Sequence, residues 1–148
     1  RTQHRLIEAA RRGVKVRLLV PAKTDVPLAR WAARASYQAL LQAGVRIFEY
    51  LPRMLHAKTA IVDGSWATIG TANLDYRSFF VNYELNLVAR NPELCERLQA
   101  QFHEDLMQSR EISAASGPSS GVRRRTCSRQ AGSPTALSRL RICAAAPR

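Results

Sequence analysis

The segment that most constrains the fold of this chain is residues 55–73, LHAKTAIVDGSWATIGTAN. In an extended conformation, period-2 alternation places the side chains of His56 and Lys58 on the same face. The apolar residues that follow end at Asp63-Gly64, a dipeptide typical of tight hairpin turns. The residues after the turn predict a return strand. The segment therefore predicts a β-hairpin with an imidazole and an ammonium group near its open end.

Four polar side chains are predicted to meet at that open end, because the return strand brings Thr71 and Asn73 beside His56 and Lys58. A neutral imidazole can attack phosphorus directly, and an ammonium can hold the non-bridging oxygens of a phosphate. The Asn73 amide and the Thr71 hydroxyl can donate hydrogen bonds to the same oxygens. For both residues, turn formation after Gly70 is the alternative interpretation. The arrangement predicts phosphoryl transfer without a metal ion.

The spacing of these residues resembles the HxKxxxxD motif of the phospholipase D superfamily, with its trailing G-[S/T]-x-N. In this chain the motif is His56-x-Lys58, Asp63 and then Gly70-Thr71-x-Asn73, with Thr where Ser is usual. The flanks resemble the bacterial cardiolipin synthase branch: Glu49-Tyr50-x-Pro52-x-Met54-Leu55 before the motif, and Asn73-x-Asp75-x-Arg77-Ser78 with Asn82-x-Glu84-x-Asn86 behind it. The resemblance covers about residues 1–112 and corresponds to the C-terminal half of such an enzyme.

The resemblance implies a phosphatidyltransferase. Such an enzyme would attack phosphatidylglycerol, form a phosphatidyl-histidine and pass the phosphatidyl group to a second lipid to make cardiolipin, with phospholipase D-type hydrolysis as side chemistry. Carried over to this sequence, the catalytic residues are His56, Lys58, Asp63, Asn73 and Glu84. The residues expected to bind substrate are Lys58, Thr71, Asn73 and Arg77. No cofactor and no metal ion are expected.

Partners and a location follow from the same resemblance. The substrate is an anionic phospholipid, so the protein is expected at the cytoplasmic face of the bacterial cell membrane, as a peripheral protein. The enzymes that it resembles build one site from two HxKxxxxD motifs, whereas this chain has one. A second half, from an upstream segment or from a second copy, is therefore an expected partner. Because Arg1 begins inside a helical pattern without an initiator Met, truncation at the N-terminus is expected.

Three members of the predicted site have alternative interpretations. Asp63 belongs to a turn dipeptide and is far from His56 along the strand, which favours a scaffolding role. Glu84 could hydrogen-bond the Nδ1–H of a histidine and support its cationic form, or it could be a surface residue of a later strand. Arg77 could pair with Asp75 to order a loop, or it could contact the lipid headgroup.

The rest of residues 1–112 predicts alternating helices and strands, and therefore an α/β domain with a mixed sheet flanked by helices. The predicted elements are a helix at 1–12, a strand at 14–20, a helix from Asp25 and Pro27 to Gly44, a strand at 45–50, the hairpin, a strand at 83–89 and a helix from Asn91-Pro92 to Leu106. Three cysteines without C-x-x-C spacing argue against a disulfide framework or a zinc site.

Residues 113–148 have a different composition, dominated by Ser, Gly, Pro, Ala and Arg without hydrophobic periodicity. We predict that this basic tail is disordered. It contains seven Arg and no acidic residue, and so contributes +7 of the net charge of +12. A frameshifted or truncated end would explain the abrupt change near Ile112, and a genuine tail that binds nucleic acid or lipid is the alternative.

The positive charge keeps two other functions open, because a basic surface attracts any polyanion. One is a nuclease of the same superfamily, in which two single-motif chains pair as a homodimer and nucleic acid is the substrate. The other is a catalytically inactive fragment that binds polyanions through its tail. The flanks of the motif favour the lipid enzyme over the nuclease, whereas the basic charge favours the nuclease.

Overall fold

The computed structural model describes residues 2–23, 37–73, 81–113 and 139–143, which form a seven-stranded sheet with helices packed against it. The helices are α1 (Thr2–Arg11) and α2 (Pro92–Met107), and residues 37–42 are also helical. The strands are β1 (Lys15–Pro21), β2 (Arg46–Tyr50), β3 (Thr59–Val62), β4 (Trp66–Gly70), β5 (Asn86–Ala89), β6 (Ser109–Ile112) and β7 (Arg139–Cys143).

The sheet is mixed, with the strand order β5-β4-β3-β7-β1-β2-β6. Strand β1 is parallel to both β2 and β7. The pairs β2–β6, β3–β7, β3–β4 and β4–β5 are antiparallel. The predicted α/β fold, a mixed sheet flanked by helices, is confirmed.

Alternation along β1 gives the sheet two buried faces. Leu18 and its alternate neighbours in β1 pack in a cluster with Leu6 of α1 and Leu40 of the helical residues 37–42. Leu19 points to the opposite face and packs in a second cluster with Phe102 of α2. A strand that is buried on both faces is nearly continuously apolar, as β1 is from Leu18 to Pro21. The layers are therefore helix, sheet and helix.

The ends of the helices follow the predicted capping chemistry. α1 is followed by Gly13 with φ +91°, and the helical residues 37–42 are followed by Gly44 with φ +90°. At the start of α2, the side chain of Asn91 accepts a hydrogen bond of 3.0 Å from the backbone N–H of Leu94, and Pro92 occupies the first turn. The predicted helix start at Asp25 and Pro27 lies outside the described residues.

Two predictions about strands differ from the structure. Strand β5 begins at Asn86, not at Tyr83, because residues 83–85 leave the ladder where Leu85 bonds Thr71. The larger difference is β7: residues 139–143, predicted to belong to the disordered tail, form a strand between β3 and β1. Leu140, Arg141 and Ile142 alternate between apolar and basic, but a pattern of three residues is too short to predict a strand. Residues 114–138 and 144–148 of the predicted tail lie outside the described residues.

The stability of the domain is expected to depend on pH through His103 on α2. Partial burial, followed by the charges of Arg141 on β7 and Arg17 on β1, lowers the pKa of His103 below its usual value of 6.5. The unfolded chain therefore binds this proton more readily than the native one, so stability should fall as the pH drops below 6.5. In urea titrations at several pH values, His103→Gln should remove part of that loss. An equally steep loss in the variant would contradict the assignment.

Candidate active site

The site residues lie at the edge of the sheet where the parallel strands β1, β2 and β7 end, which we call the carboxyl edge. Strand β3 runs antiparallel to β7, with Thr59 opposite Cys143, so β3 begins at this edge. His56 and Lys58 immediately precede β3 and are therefore placed there. Polar side chains at the carboxyl ends of parallel strands are the common location of ligand sites in α/β sheets.

The predicted hairpin is confirmed in its turn and in its return strand. Strands β3 and β4 pair from Thr59 opposite Ile69 to Val62 opposite Trp66. The turn between them has positive φ at both central residues, +52° at Asp63 and +69° at Gly64. Such a turn matches the twist of the two strands. The return strand therefore ends at the carboxyl edge, where the first strand began.

His56 and Lys58 are in direct contact. The Nζ atom of Lys58 lies 2.5 Å from Nε2 of His56. An ammonium can only donate, so the contact is a hydrogen bond in the tautomer whose Nε2 accepts and whose ring proton is on Nδ1. His56 is exposed and Lys58 is half-buried. The two side chains share a face, as predicted, although both precede the first residue of β3.

The return strand meets Lys58 through Gly70. The backbone N–H of Gly70 donates to the carbonyl oxygen of Lys58 at 3.1 Å. A Cβ atom at position 70 would overlap the side chain of Asn86 and the carbonyl oxygen of Leu85. Glycine is therefore required for β4 and the residues before β5 to approach each other beside Lys58.

The hydroxyl of Thr71 makes its contacts with the backbone of Leu85. It accepts a 2.9 Å hydrogen bond from the backbone N–H of Leu85 and lies 3.5 Å from the carbonyl oxygen of the same residue. The backbone N–H of Thr71 also donates to that carbonyl at 3.0 Å. These contacts join Thr71 to the segment before β5, fourteen residues away, and do not form a local turn after Gly70. A hydroxyl can accept and donate at the same time, so Thr71 can donate to a substrate while it accepts from Leu85.

Asn86 is a positioning residue that the sequence did not single out as part of the site. Its Oδ1 accepts a 3.4 Å hydrogen bond from the backbone N–H of Ala72, between Thr71 and Asn73. The side chain of Asn73 itself is half-buried, and its oxygen is buried. The alternating Asn82-x-Glu84-x-Asn86 pattern was the sequence signal that could have identified Asn86, since this residue begins β5.

The structure does not bring Asp63 to the other predicted catalytic residues. Asp63 is at the turn, seven positions after His56, which in an extended conformation corresponds to about 23 Å. This position fits the scaffolding interpretation of Asp63, in which the residue shapes the turn. Glu84 is half-buried and accepts a 3.4 Å hydrogen bond from the side chain of Asn82. Arg77 lies outside the described residues.

Two further observations concern the described part of the chain. No three of its His, Cys, Asp or Glu side chains are grouped closely enough to hold a metal ion. None of its helices combines the length and the apolar character needed to cross a bilayer.

The chain is similar to proteins of one family. The family model described as "Cardiolipin synthase, PLD-like domain" matches residues 2–106. A protein named probable cardiolipin synthase YwiE, from Bacillus subtilis, is 39% identical over 118 residues, which cover 80% of this chain and 24% of the relative. A cardiolipin synthase from Oceanobacillus iheyensis is 45% identical over 100 residues, 68% of this chain and 21% of the relative. The chain thus spans about a fifth to a quarter of the length of these relatives.

One solved structure also resembles the fold. It is the crystal structure of Nuc, a phospholipase D family member from Salmonella typhimurium, with a TM-score of 0.66 and 22% sequence identity. The match covers 75% of this chain and 72% of that protein. At this identity the likeness concerns the fold alone. The family is shown by the match over residues 2–106: the chain belongs to the cardiolipin synthase group of phospholipase D-like domains.

Proposed function

We propose that this domain carries one half of a phosphatidyltransferase site that acts on phosphatidylglycerol through a phosphohistidine. The observation that carries the proposal is the contact between Lys58 Nζ and His56 Nε2 at the carboxyl edge. It joins a candidate nucleophile to a cation that can hold a phosphate. The relatives named cardiolipin synthase support the choice of lipid.

In the first step, the Nε2 lone pair of His56 attacks the phosphorus of the lipid. A P–N bond forms, and the P–O bond to the glycerol headgroup breaks; the departing alkoxide takes a proton from a general acid. In the second step, the hydroxyl of another phosphatidylglycerol loses a proton and attacks the same phosphorus. The P–N bond breaks, and cardiolipin and free His56 result. Water as the acceptor would give phospholipase D-type hydrolysis.

Lys58 has a different task before and after substrate binds. Without substrate its ammonium donates to Nε2 of His56, and so it occupies the lone pair that must attack. The anionic phosphodiester offers the ammonium a charged acceptor, which makes a stronger hydrogen bond than a neutral ring nitrogen. We propose that Lys58 turns to the phosphate oxygens. Binding of the substrate then frees the Nε2 lone pair of His56. It also neutralises the negative charge of the phosphate that His56 attacks.

Three other residues complete the proposed site. The Asn73 amide would donate to the phosphate oxygens beside Lys58. Glu84 would fix the tautomer of a histidine by accepting its Nδ1–H, either in this half or in the second one. Arg77 would contact the anionic headgroup. The expected location is the cytoplasmic face of the cell membrane, to which the protein binds peripherally.

The proposed chemistry should not depend on a divalent cation. In a transfer assay with detergent-dispersed phosphatidylglycerol, we expect product formation to survive excess chelator, because His56 supplies the nucleophile and Lys58 the positive charge. Lys58→Ala should lose most of the turnover, whereas Lys15→Ala, at the opposite end of β1, should retain it. Detergent is needed because divalent cations also aggregate anionic vesicles. Loss of activity on chelation, with recovery on adding a divalent cation, would contradict this model.

A nuclease remains the second candidate because the net charge of +12 also suits nucleic acid. The same attack by His56 on a phosphodiester would cleave DNA if a nucleotide replaced the lipid. Incubation of the same preparation with DNA and with phosphatidylglycerol separates the two. Cleavage of DNA without transfer of lipid would replace the lipid assignment.

A further inference from the structure

Large apolar side chains are exposed around the carboxyl edge, on the segments that surround His56. We call this group the apolar rim; its members are Leu51, Met54, Val81, Tyr83, Leu85 and Met107. Tyr83 is fully exposed, and Leu85 is 79% exposed. Single exposed apolar residues are ordinary, whereas several around one site indicate a contact with another molecule.

One side of the rim belongs to the segment that leads into the motif. Met54 precedes His56 by two residues. Leu51 follows the end of β2, and its backbone N–H donates to the carbonyl oxygen of Gln108 at 3.3 Å. This hydrogen bond brings the end of α2, with Met107, to the same edge of the sheet.

The other side of the rim belongs to the segment that leads into β5. The backbone of Leu85 is hydrogen-bonded to Thr71, which follows the last residue of β4. Because Gly70 donates to the carbonyl oxygen of Lys58, this segment is anchored beside the site. Tyr83, two residues before Leu85, has both an apolar ring and a hydroxyl, the combination favoured where apolar and wet regions meet.

Two cations accompany the first side of the rim. The ammonium of Lys23, just after β1, donates to the carbonyl oxygen of Pro52 at 3.0 Å and is exposed. Arg53 is the next residue along that segment and is also exposed. Arg53 is adjacent to Met54 in sequence. The hydrogen bond to Pro52 places Lys23 beside Leu51. The edge thus presents apolar tips and positive charge together, the composition of a surface that binds an anionic lipid interface.

We propose that the apolar rim, with Lys23 and Arg53, docks the carboxyl edge on the surface of an anionic bilayer. The choice of a lipid surface rests on the proposed function, since a phosphodiester held in a bilayer reaches His56 only if this edge faces the headgroups. The apolar side chains enter the boundary between headgroups and acyl chains, and the two cations contact the lipid phosphates. Docking thereby orients the site toward its substrate.

The charges favour a bilayer over a second copy of the chain as the occupant of the rim. If two rims packed against each other about a two-fold axis, Lys23 and Arg53 of one copy would meet the same patch of the other. Like charges brought together in an interface are repulsive. A two-fold axis along the bilayer normal is different, because it would present both rims to the same membrane. Lipid docking is therefore compatible with a site built from two halves.

Binding to vesicles tests the proposal independently of catalysis. The full chain carrying His56→Ala is mixed with phosphatidylcholine vesicles that contain phosphatidylserine, an anionic lipid other than the proposed substrate. Met54→Ser combined with Tyr83→Ser and Leu85→Ser should weaken binding at least about tenfold. Lys23→Gln with Arg53→Gln should weaken it about tenfold or more.

Matched controls remove similar groups from elsewhere in the domain. Val88→Ser removes an exposed apolar side chain from β5, away from the carboxyl edge. Arg12→Gln with Lys15→Gln removes two exposed cations from the opposite end of the sheet. Both controls should bind as the parent does. Equal losses in the rim variants and their controls would overturn the proposal.

The basic tail is the competing cause of binding and needs its own variant. Deletion of residues 113–148 is unsuitable because it would remove β7 from between β3 and β1. Replacing Arg123, Arg124 and Arg125 by Gln lowers the charge of the tail and leaves β7 in place. If this variant loses binding while the rim variants keep it, the tail and not the rim binds lipid.

The remaining outcomes separate docking from the proposed function. Rim-dependent binding to phosphatidylserine, in a protein that transfers no lipid in any preparation, would overturn the transferase and support the docking surface. Lipid transfer by a protein whose vesicle binding does not depend on the rim would support the transferase and overturn the docking surface. If sedimentation shows instead that the rim variants dissociate a dimer, the occupant is a second copy and the bilayer proposal is wrong.

Discussion

Replacing His56 by Ala should abolish phosphatidyl transfer in any form of the protein that turns over. The substitution removes the atom that forms the P–N bond, and loss of a catalytic nucleophile costs about 10⁶-fold where it has been measured in a hydrolase. Because the side chain is exposed, the folded state should be nearly unaffected, with a change in stability within about 0.5 kcal/mol. The measurements are the rate of lipid transfer and the urea midpoint of the same preparation.

A trapped intermediate makes this prediction specific. Rapid quenching with labelled lipid should give a protein adduct that is labile in acid and stable in base, as a phosphohistidine is. His4→Ala, a change at an exposed histidine of α1, is the matched control and should form the adduct normally. Adduct formation at the parent rate in His56→Ala would show that another group is the nucleophile.

The hairpin was predictable because its determinants are local. The Asp63-Gly64 turn requires two consecutive residues with positive φ, and few dipeptides accept that conformation. Once the turn is fixed, the period of the strands decides which side chains share a face, and His56 meets Lys58. The family resemblance pointed to the same pair, so two independent arguments agree on them.

Strand β7 was not predictable, since its place depends on contacts that are remote in sequence. Residues 139–143 carry three apolar and two basic side chains, and nothing in this pattern specifies a position between β3 and β1. Arg141 is nevertheless buried there and donates a 2.5 Å hydrogen bond to the side chain of Gln99 on α2. Composition indicated disorder because it describes the tail as a whole. The strand involves only five residues of the tail, and their composition differs from that average.

Thr71 and Asp63 each have a structural role beside their place in the motif. Both occupy positions that the resemblance fixes, and both have conformational reasons to be there. Asp63 forms the turn, and the Thr71 hydroxyl is bonded to the backbone of Leu85. Spacing alone cannot separate a residue that shapes a site from one that touches substrate, because either role constrains the same position. The observed contacts of Asp63 and Thr71 account for the shaping role.

The second prediction with a large effect is that the isolated monomer does not turn over. His56 is bonded to phosphorus between the two steps, so another group must protonate the leaving alkoxide and later deprotonate the acceptor. The other histidines of the chain are His4 on α1 and His103 on α2. Neither is followed by a lysine two residues later. The pKa of His103 is also lowered, by partial burial and then by the charges of Arg141 and Arg17.

A second HxKxxxxD half would supply the missing acid and base, either from a partner polypeptide or from another copy of this chain. If two copies pair, the activity per chain should rise with protein concentration in parallel with the dimer seen by sedimentation. Mixing wild type with His56→Ala then tests whether both copies contribute a histidine. Pairs with one His56 would lack either nucleophile or acid, so activity should fall as the square of the wild-type fraction. A fall shallower than linear would mean that one histidine per pair is enough, and a linear fall would mean that each chain acts independently. Turnover by a strictly monomeric preparation would show that no second half is needed.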